Sequence, residues 1–436
     1  MHKKFFIIAG LILSGCVVVA ALSSVWGRKP TAAMTVVAPE VVNARQTPVD
    51  SQIQKAEAVI KHAPAAAEGY NLLAAAYLQK ARETGDFGFN SRAEAALARS
   101  LEIAPDDFDA LKLQATLLLT YHRFQEALEV ARRAQTLRPD NADVYGALTD
   151  ALVELGDYQG AVRAAQKMVD LRPDTASYSR VSYLRALHGD TEGAIEAMRV
   201  AARAADPRNP ESVAWCRVHL GLELMNAGRR DQAEHEFDEA LKIFPDYYLA
   251  LSAKARARLA VGDNEGALDL YRQAEERVPL PDVAAARGDL LARLGRTDEA
   301  KKEYELAEFI ERTGASAATY SRSLALFLAD HDMKLDEALS IARRERAARS
   351  DIYTDDALAW CLFKNGMLRE AKEAMDEALR LGTRDARLFY HAGMIAEGLG
   401  ERHAAQKYLQ LALGTDPSFN VIQAEAARHA LKELNA

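Results

Sequence analysis

Prolines recur in this chain at intervals of 34 residues, and this period constrains the fold more than any other feature. Four prolines keep the spacing, and two resume it after a slip of four: Pro105, Pro139, Pro173, Pro207, then Pro245 and Pro279. Between them, apolar residues recur at every third or fourth position, which is typical of amphipathic helices. A fixed period of this length indicates helix-turn-helix units that bury their cores by stacking on one another.

Glycines and alanines mark positions within the unit. The turn between the two helices often carries a glycine: Gly156, Gly228, Gly262, Gly295, Gly366 and Gly400. An alanine recurs in the second helix of ten units: Ala93, Ala127, Ala161, Ala194, Ala233, Ala267, Ala300, Ala338, Ala371 and Ala405. Alanine at the closest approach of two helices lets their axes come within about 8–10 Å. The chain is 49% hydrophobic but only 7% aromatic, which fits a core built of small residues.

These units resemble the tetratricopeptide repeat family. The stretches that carry the resemblance are Tyr70-x2-Leu73-Ala74-x2-Tyr77, Ala233-x3-Phe237-x2-Ala240-x4-Pro245 and Ala267-x3-Tyr271-x2-Ala274-x4-Pro279. The tryptophan that opens the family pattern is mostly replaced, for example by Tyr145 or Leu111. The resemblance implies an all-α superhelical solenoid of about ten repeats over residues 49–436. We expect a helix at 50–63 before the first repeat and a capping helix at 419–435 after the last.

The N-terminus departs from the repeat pattern. After Lys3 and Lys4 the chain is apolar from Phe5 to Trp26, about 33 Å of helix and enough to cross a bilayer. Residues 1–27 therefore fit an uncleaved membrane anchor, a lipoprotein signal acylated at Cys16, or a signal peptide removed after Val19-Ala20-Ala21. Residues 28–48 contain three prolines and no helical period, and we expect an extended tether. All three alternatives place the repeats outside the cytoplasm, in the bacterial periplasm.

Net charge, cysteine spacing and the absence of catalytic motifs limit the kinds of partner and site that we expect. The net charge is -8 and no basic block occurs, so we expect no nucleic-acid partner, because phosphate binding needs clustered Lys and Arg. Cys216 and Cys361 fall four repeats apart, so we expect buried, reduced thiols rather than a disulfide. We find no catalytic, cofactor or metal constellation: His235-Glu236 lacks the second histidine of a zinc-protease helix.

The resemblance also implies a concave groove lined by the first helix of each repeat, which receives a segment of a partner protein. Carried over by position, the proposed partner-binding residues are Arg180, Tyr183, Trp215, His219, Arg256, Tyr353, Trp360, Phe363, Tyr390 and Met394. Further candidates are Asn71, Lys112, Thr116, Asp150 and Met225. The alternative for any one of them is packing between helices. Lys112 is followed by Thr116 and then Ala147, so the carboxylate clamp of chaperone-binding members is not present.

We therefore expect a non-catalytic scaffold for other proteins at the bacterial cell envelope, attached to the membrane through its N-terminal segment. Two alternatives stay open. One is an enzyme or a carrier of a metal or cofactor, with a site hidden in the groove near His219 or His391. The other is a structural spacer without a specific partner.

Overall fold

The structure, a computed structural model, describes residues 48–313 and 321–435, and in these residues every regular element is a helix. The twenty-two helices are α1 (Pro48–His62), α2 (Ala67–Thr84), α3 (Gly88–Ile103), α4 (Phe108–Thr120), α5 (Phe124–Leu137), α6 (Ala142–Glu154), α7 (Tyr158–Leu171), α8 (Thr175–Leu187), α9 (Thr191–Ala204), α10 (Pro210–Asn226), α11 (Arg230–Ile243), α12 (Tyr248–Ala260), α13 (Asn264–Arg277), α14 (Pro281–Arg293), α15 (Thr297–Thr313), α16 (Arg322–Asp330), α17 (Leu335–Ala348), α18 (Ile352–Lys364), α19 (Leu368–Ala378), α20 (Ala386–Gly398), α21 (Arg402–Thr415) and α22 (Val421–Asn435).

Ten antiparallel pairs, from α2–α3 to α20–α21, form the repeats, with α1 before them and α22 after them. The ten marker alanines all lie in the second helix of a pair and are fully or almost fully buried. The sequence prediction of ten helical repeats with a helix at each end is confirmed. First helices of successive repeats contact one another, as α2 does α4, α4 does α6 and α6 does α8. They form the inner layer of the array, and the second helices pack outside them.

The turn within a repeat takes the left-handed conformation. Gly156, for example, has φ 79° and Gly262 has φ 81°, a region that costs a residue with a Cβ about 1–2 kcal/mol. In the second and eighth repeats, where the turn glycine is missing, His122 (φ 57°) and Asp332 (φ 53°) hold the same conformation. The geometry of the turn is therefore kept in these repeats without glycine.

Early repeats pack directly against late ones along a surface that we call the seam. Its residues are Gly85, Glu154, Gly156, Tyr158, Leu187 and Gly189 on one side, and Val278, Arg349, Ser350, Ile352, Gly382 and Thr383 on the other. Turns of the first, third and fourth repeats thus meet the junctions that follow the sixth, eighth and ninth. In each case the two contacting segments are five to six repeats apart along the chain. The array therefore completes one superhelical turn, or winding, every five to six repeats.

Backbone and side-chain hydrogen bonds join the two sides of the seam. The Ser350 N–H donates to the Glu154 carbonyl oxygen at 3.2 Å. The Ile352 N–H donates to the Tyr158 hydroxyl at 2.8 Å, across 194 residues of chain. The Thr383 hydroxyl donates to the Leu187 carbonyl oxygen. Each bond satisfies a backbone group at a helix end, which would otherwise be buried without a partner.

A buried ion cluster lies in the same surface. The Arg349 side chain, just after α17, is only 5% exposed and has Glu154 on the other side of the seam and Glu345 in the last turn of α17, each 2.9 Å from a guanidinium nitrogen. Its guanidinium also lies 5.1 Å from the centre of the Phe124 ring. Because breaking a buried pair leaves an uncompensated charge, this cluster opposes separation of the two sides.

The C-terminal helix α22 folds back onto first helices of the inner layer. It contacts α14 and α20 as well as α21. The Asn420 amide, just before α22, donates to Asp289 at 2.9 Å, and the Gln423 amide donates to Asp330 at 2.8 Å. The predicted capping helix is confirmed, and it also contacts a repeat that lies three pairs earlier.

The N-terminal predictions fall outside the described residues. The apolar segment 5–26, with Cys16, and the tether 28–48 lie there, except that Pro48 begins α1. Among the described helices, none combines the length and the apolar character needed to span a membrane.

We predict that alanine at Gly156 destabilises the protein more than alanine at Gly262. Both substitutions force a Cβ into the left-handed region, at about 1–2 kcal/mol. A Cβ at Gly156 would also lie 2.6 Å from the Ser350 carbonyl oxygen, whereas nothing lies within 4 Å of one at Gly262. Thermal unfolding followed by circular dichroism should give a clearly lower midpoint for Gly156→Ala. Equal midpoints for the two variants would contradict the prediction, since a Cβ facing Ser350 would then have no additional cost.

Candidate partner-binding site

Helices of the third, fourth and fifth repeats, chiefly their first helices, line an open cavity of about 250 Å³, which we call the Glu223 cavity. Its lining residues are Asp150 from α6, Ser179, Arg180, Ser182 and Tyr183 from α8, Met198 from α9, and Trp215, His219 and Glu223 from α10. The three α10 residues are four apart, so that they lie on one face of the helix, toward α8. Since rigid helices supply every group, the lining is held in place before any ligand arrives.

Arg180 is fixed within this lining. Its guanidinium donates to both carboxylate oxygens of Asp150, at 2.6 and 2.9 Å. It also donates to the carbonyl oxygens of Ala176 and Gly146, at 2.9 and 3.2 Å. A guanidinium with this many acceptors has little capacity left for a partner. Arg180 therefore joins α6 to α8 and shapes the cavity.

Aromatic rings form one wall of the cavity. The Trp215 and His219 rings lie 3.9 Å apart between centroids. Burial lowers the pKa of His219 to about 4, so the imidazole is neutral at physiological pH. Tyr183 on α8 is 43% exposed, while the surrounding protein raises the pKa of its hydroxyl, chiefly by desolvation. An exposed ring that is nevertheless surrounded by protein is typical of a concave surface.

Glu223 is the one cavity residue whose charge is not balanced. Among the described residues, none forms an ion pair or a side-chain hydrogen bond with its carboxylate, and burial alone raises its pKa to about 7. Sequence reasoning missed this residue. The signal was its position four residues after His219 and eight after Trp215, on the same helix face.

Four of the ten proposed partner-binding residues come together in this cavity: Arg180, Tyr183, Trp215 and His219. Asp150, from the wider set, joins them. These residues were predicted to lie on one surface because the repeat register puts corresponding positions of successive first helices there. Their role in binding a partner stays a prediction.

The C-terminal candidates are packed between helices. Trp360 and Tyr390 are 3% and 5% exposed, and the Trp360 indole N–H donates to Asp330 at 2.7 Å. Phe363, Met394 and Tyr353 pack against the same core. Trp360 and Tyr390 thus have almost no surface to offer a partner, which corrects the expectation that these aromatic side chains line an open groove.

The remaining candidates have partners within the chain. Arg256 lies 3.7 Å from Asp416, at the end of α21. The Asn71 amide donates to Asp107 at 2.7 Å, and Lys112 pairs with Asp109 at 3.0 Å. The Thr116 hydroxyl donates to the carbonyl oxygen of Lys112, within α4, and Met225 is buried in the core. Most of these side chains stabilise the array.

His391, the second histidine considered for a hidden site, and the two described cysteines are internal as well. His391 is fully buried, with its Nδ1 2.7 Å from Asp356 and its ring stacked on Trp360. In the described part of the chain, no three His, Cys, Asp or Glu side chains are grouped so as to hold a metal ion. Cys216 and Cys361 are free and buried, which confirms the prediction of separate thiols, and burial raises the pKa of each to about 12.

Family models of the tetratricopeptide repeat match most of the helical array. The matched residues are 78–142, 118–187, 219–281, 282–308 and 386–419. Together these matches cover more than half of the chain. The chain belongs to the tetratricopeptide repeat family. The Glu223 cavity therefore lies on the concave face of a tetratricopeptide repeat array, where the matched models cover α6, α8 and the second half of α10, from His219.

Similar proteins share only part of their length with this chain. DnaJ homolog subfamily C member 3 of Rattus norvegicus is 24% identical over 214 residues, which are 46% of this chain and 42% of that protein. Protein FlbA of Caulobacter vibrioides is 36% identical over 127 residues, 28% of this chain and 20% of that protein. This chain thus matches less than half the length of either relative.

Two solved structures are similar at low identity. The human IFIT1 dimer with PPP-AAAA is 16% identical, with a TM-score of 0.47, and the similarity covers 76% of this chain and 78% of that one. The APC/C hetero-tetramer Cut9-Hcn1 is 13% identical, with a TM-score of 0.33, covering 89% and 93%.

We predict that Glu223→Gln stabilises the protein in a pH-dependent way. The folded-state pKa of about 7 lies above the roughly 4.3 of an unfolded chain. Between these values the folded protein holds a proton that the unfolded chain has lost, so this group lowers stability as the pH rises. Glutamine has no proton to lose. Its variant should therefore exceed the parent in thermal midpoint at pH 8 and match it near pH 4.

The matched control is Glu129→Gln, at an exposed glutamate on the outer helix α5. It should shift the midpoint by the same small amount at both pH values. An equal effect of Glu223→Gln at pH 4 and pH 8 would contradict the prediction, since it would mean that burial does not hold the proton on Glu223.

Proposed function

We propose that this protein is a non-catalytic scaffold that binds a segment of a partner protein at the Glu223 cavity. One observation carries the proposal: the first helices of the fourth and fifth repeats bring Tyr183, Trp215 and His219 to one recessed surface. Proteins with tetratricopeptide repeats generally mediate protein–protein interactions. Aromatic side chains held rigidly in a recess are well suited to anchor a partner, because little conformational entropy is lost on binding.

We further propose that the scaffold works at the bacterial cell envelope, with its repeats in the periplasm and its N-terminal segment in the membrane. The support is the apolar run from Phe5 to Trp26, preceded by Lys3 and Lys4. A run of this length is sufficient to cross the hydrocarbon core. An uncleaved anchor is the form we favour, because the residues after Cys16 stay apolar as far as Leu22.

Site-specific photocrosslinking in cells tests the binding surface. A photoreactive phenylalanine analogue replaces Tyr183 on the concave face or, as the matched control, Val162 on the outer helix α7. The two positions are 43% and 45% exposed, so that accessibility alone does not distinguish them. We expect a specific crosslinked protein from position 183 that is absent from position 162 and is lost when Trp215→Ala is added.

The same crosslinks from both positions, or none from position 183, would contradict a concave binding site. A structural spacer would give that second result. Trp360 and Tyr390 are unsuitable for this test, because substitution of either one in the core would change the fold as well as the surface.

Fractionation tests the proposed location. We expect both the parent and Cys16→Ala to remain with the membrane, because an anchor does not need the thiol, and we expect a variant lacking residues 5–26 to leave it. In spheroplasts, added protease should digest the repeats. Protection of the repeats from protease would place them in the cytoplasm, and release of Cys16→Ala from the membrane would favour the acylated form.

A further inference from the structure

The Glu223 cavity contains a carboxylate without a counter-ion. The cavity holds two carboxylates, of Asp150 and Glu223, and one guanidinium, of Arg180. Arg180 is bound to Asp150 through two hydrogen bonds, and no described residue pairs with Glu223. Removing a carboxylate from water without a compensating partner is unfavourable. When Glu223 is ionised, the lining is therefore one positive charge short of balance.

Arg180 cannot supply that charge. Its guanidinium already donates to Asp150 and to the carbonyl oxygens of Ala176 and Gly146. A move toward Glu223 would leave Asp150 unpaired in the same surface, so nothing would be gained. The neutral His219 lies on the same helix as Glu223, with its pKa at about 4, and it carries no charge near pH 7.

The walls of the cavity suit a cation. Trp215 and Tyr183 present aromatic rings, whose faces attract an ammonium or a guanidinium group. Met198 and the adjacent Trp215 and His219 rings supply polarisable surface for the aliphatic part of a lysine or arginine side chain. The volume of about 250 Å³ lies below the roughly 300–1,000 Å³ of small-molecule pockets, which favours a single side chain.

We propose that the Glu223 cavity binds a cationic side chain of the partner segment, with its charged group against Glu223 and its aliphatic stem along Trp215 and Tyr183. The inference rests on the proposed scaffold function and specifies the chemistry of the partner. The segment carries a lysine or an arginine at the position that enters the cavity. Binding forms the missing ion pair without breaking the Arg180–Asp150 pair.

A pair of peptides that differ only in charge tests this inference. Gly-Ala-Ala-X-Ala-Ala-Gly is titrated into the full chain with X as lysine or as norleucine, which has the same aliphatic stem but no ammonium group. The protein carries fluorotryptophan, and the Trp215 signal is assigned by its loss in Trp215→Phe, since the chain has only three tryptophans. We expect the lysine peptide to shift the Trp215 signal and to bind at least tenfold more tightly than the norleucine peptide.

Variants of the protein complete the test. Glu223→Gln should reduce the preference for lysine over norleucine to within about twofold, while Glu129→Gln on the outer helix should keep it. Equal binding of the two peptides, an unchanged preference in Glu223→Gln, or no shift of the Trp215 signal at 10 mM lysine peptide would each overturn the inference.

Peptide titration and photocrosslinking separate the two proposals. A specific partner captured at position 183, together with no preference for lysine, would leave the scaffold function standing and reject the cationic side chain. A preference for lysine that depends on Glu223, together with no partner captured in cells, would support the chemistry of the cavity and reject the scaffold function.

Discussion

The close approach between turns of early repeats and junctions of late repeats is the constraint on which the rest of the structure depends. A stack of helix pairs has only nearest-neighbour contacts in principle. Here Gly156 faces the Ser350 carbonyl oxygen and Gly189 faces that of Gly382, so that a second layer of contacts closes each winding. Arg349 adds a buried ion cluster at the same surface. The curvature of the array is thereby fixed by residues nearly 200 positions apart.

This closure changes the environment of the inner helices. An open groove would leave concave side chains in water, with ordinary proton affinities. In this chain the pKa values of Glu223 and His219 are both shifted toward the neutral form, and the cause in each case is desolvation. Tyr183 shows the same effect although its ring is exposed. The cavity is therefore open to a ligand, while its titratable groups are partly removed from bulk water, a combination that strengthens electrostatic contacts with whatever binds there.

The features of the fold that depend on local sequence patterns were predictable from the sequence. The 34-residue period, the turn glycines and the buried alanines each report on contacts within one repeat or between neighbours, and the structure has all of them where the register places them. The seam was not predictable, because Glu154 and Arg349 carry no mark that relates them across 195 residues. The expectation that Trp360 lies in the groove was wrong for the same reason. The repeat register gives the helix face on which a residue lies, but it does not show which distant side chains cover that face.

Charged groups at the seam act on Tyr183 in the wall of the cavity. This links the shape of the array to the binding chemistry proposed for the cavity. Burial is the main cause of the raised pKa of Tyr183, and the carboxylates of Glu154 and Asp351 contribute next. Glu154 pairs with Arg349 across the seam, and Asp351 pairs with Arg322 at 2.7 Å. A change that opened the seam would therefore redistribute charge beside a wall of the cavity. The recognition proposed for this cavity therefore depends on the closure of the winding as well as on the residues that line the site.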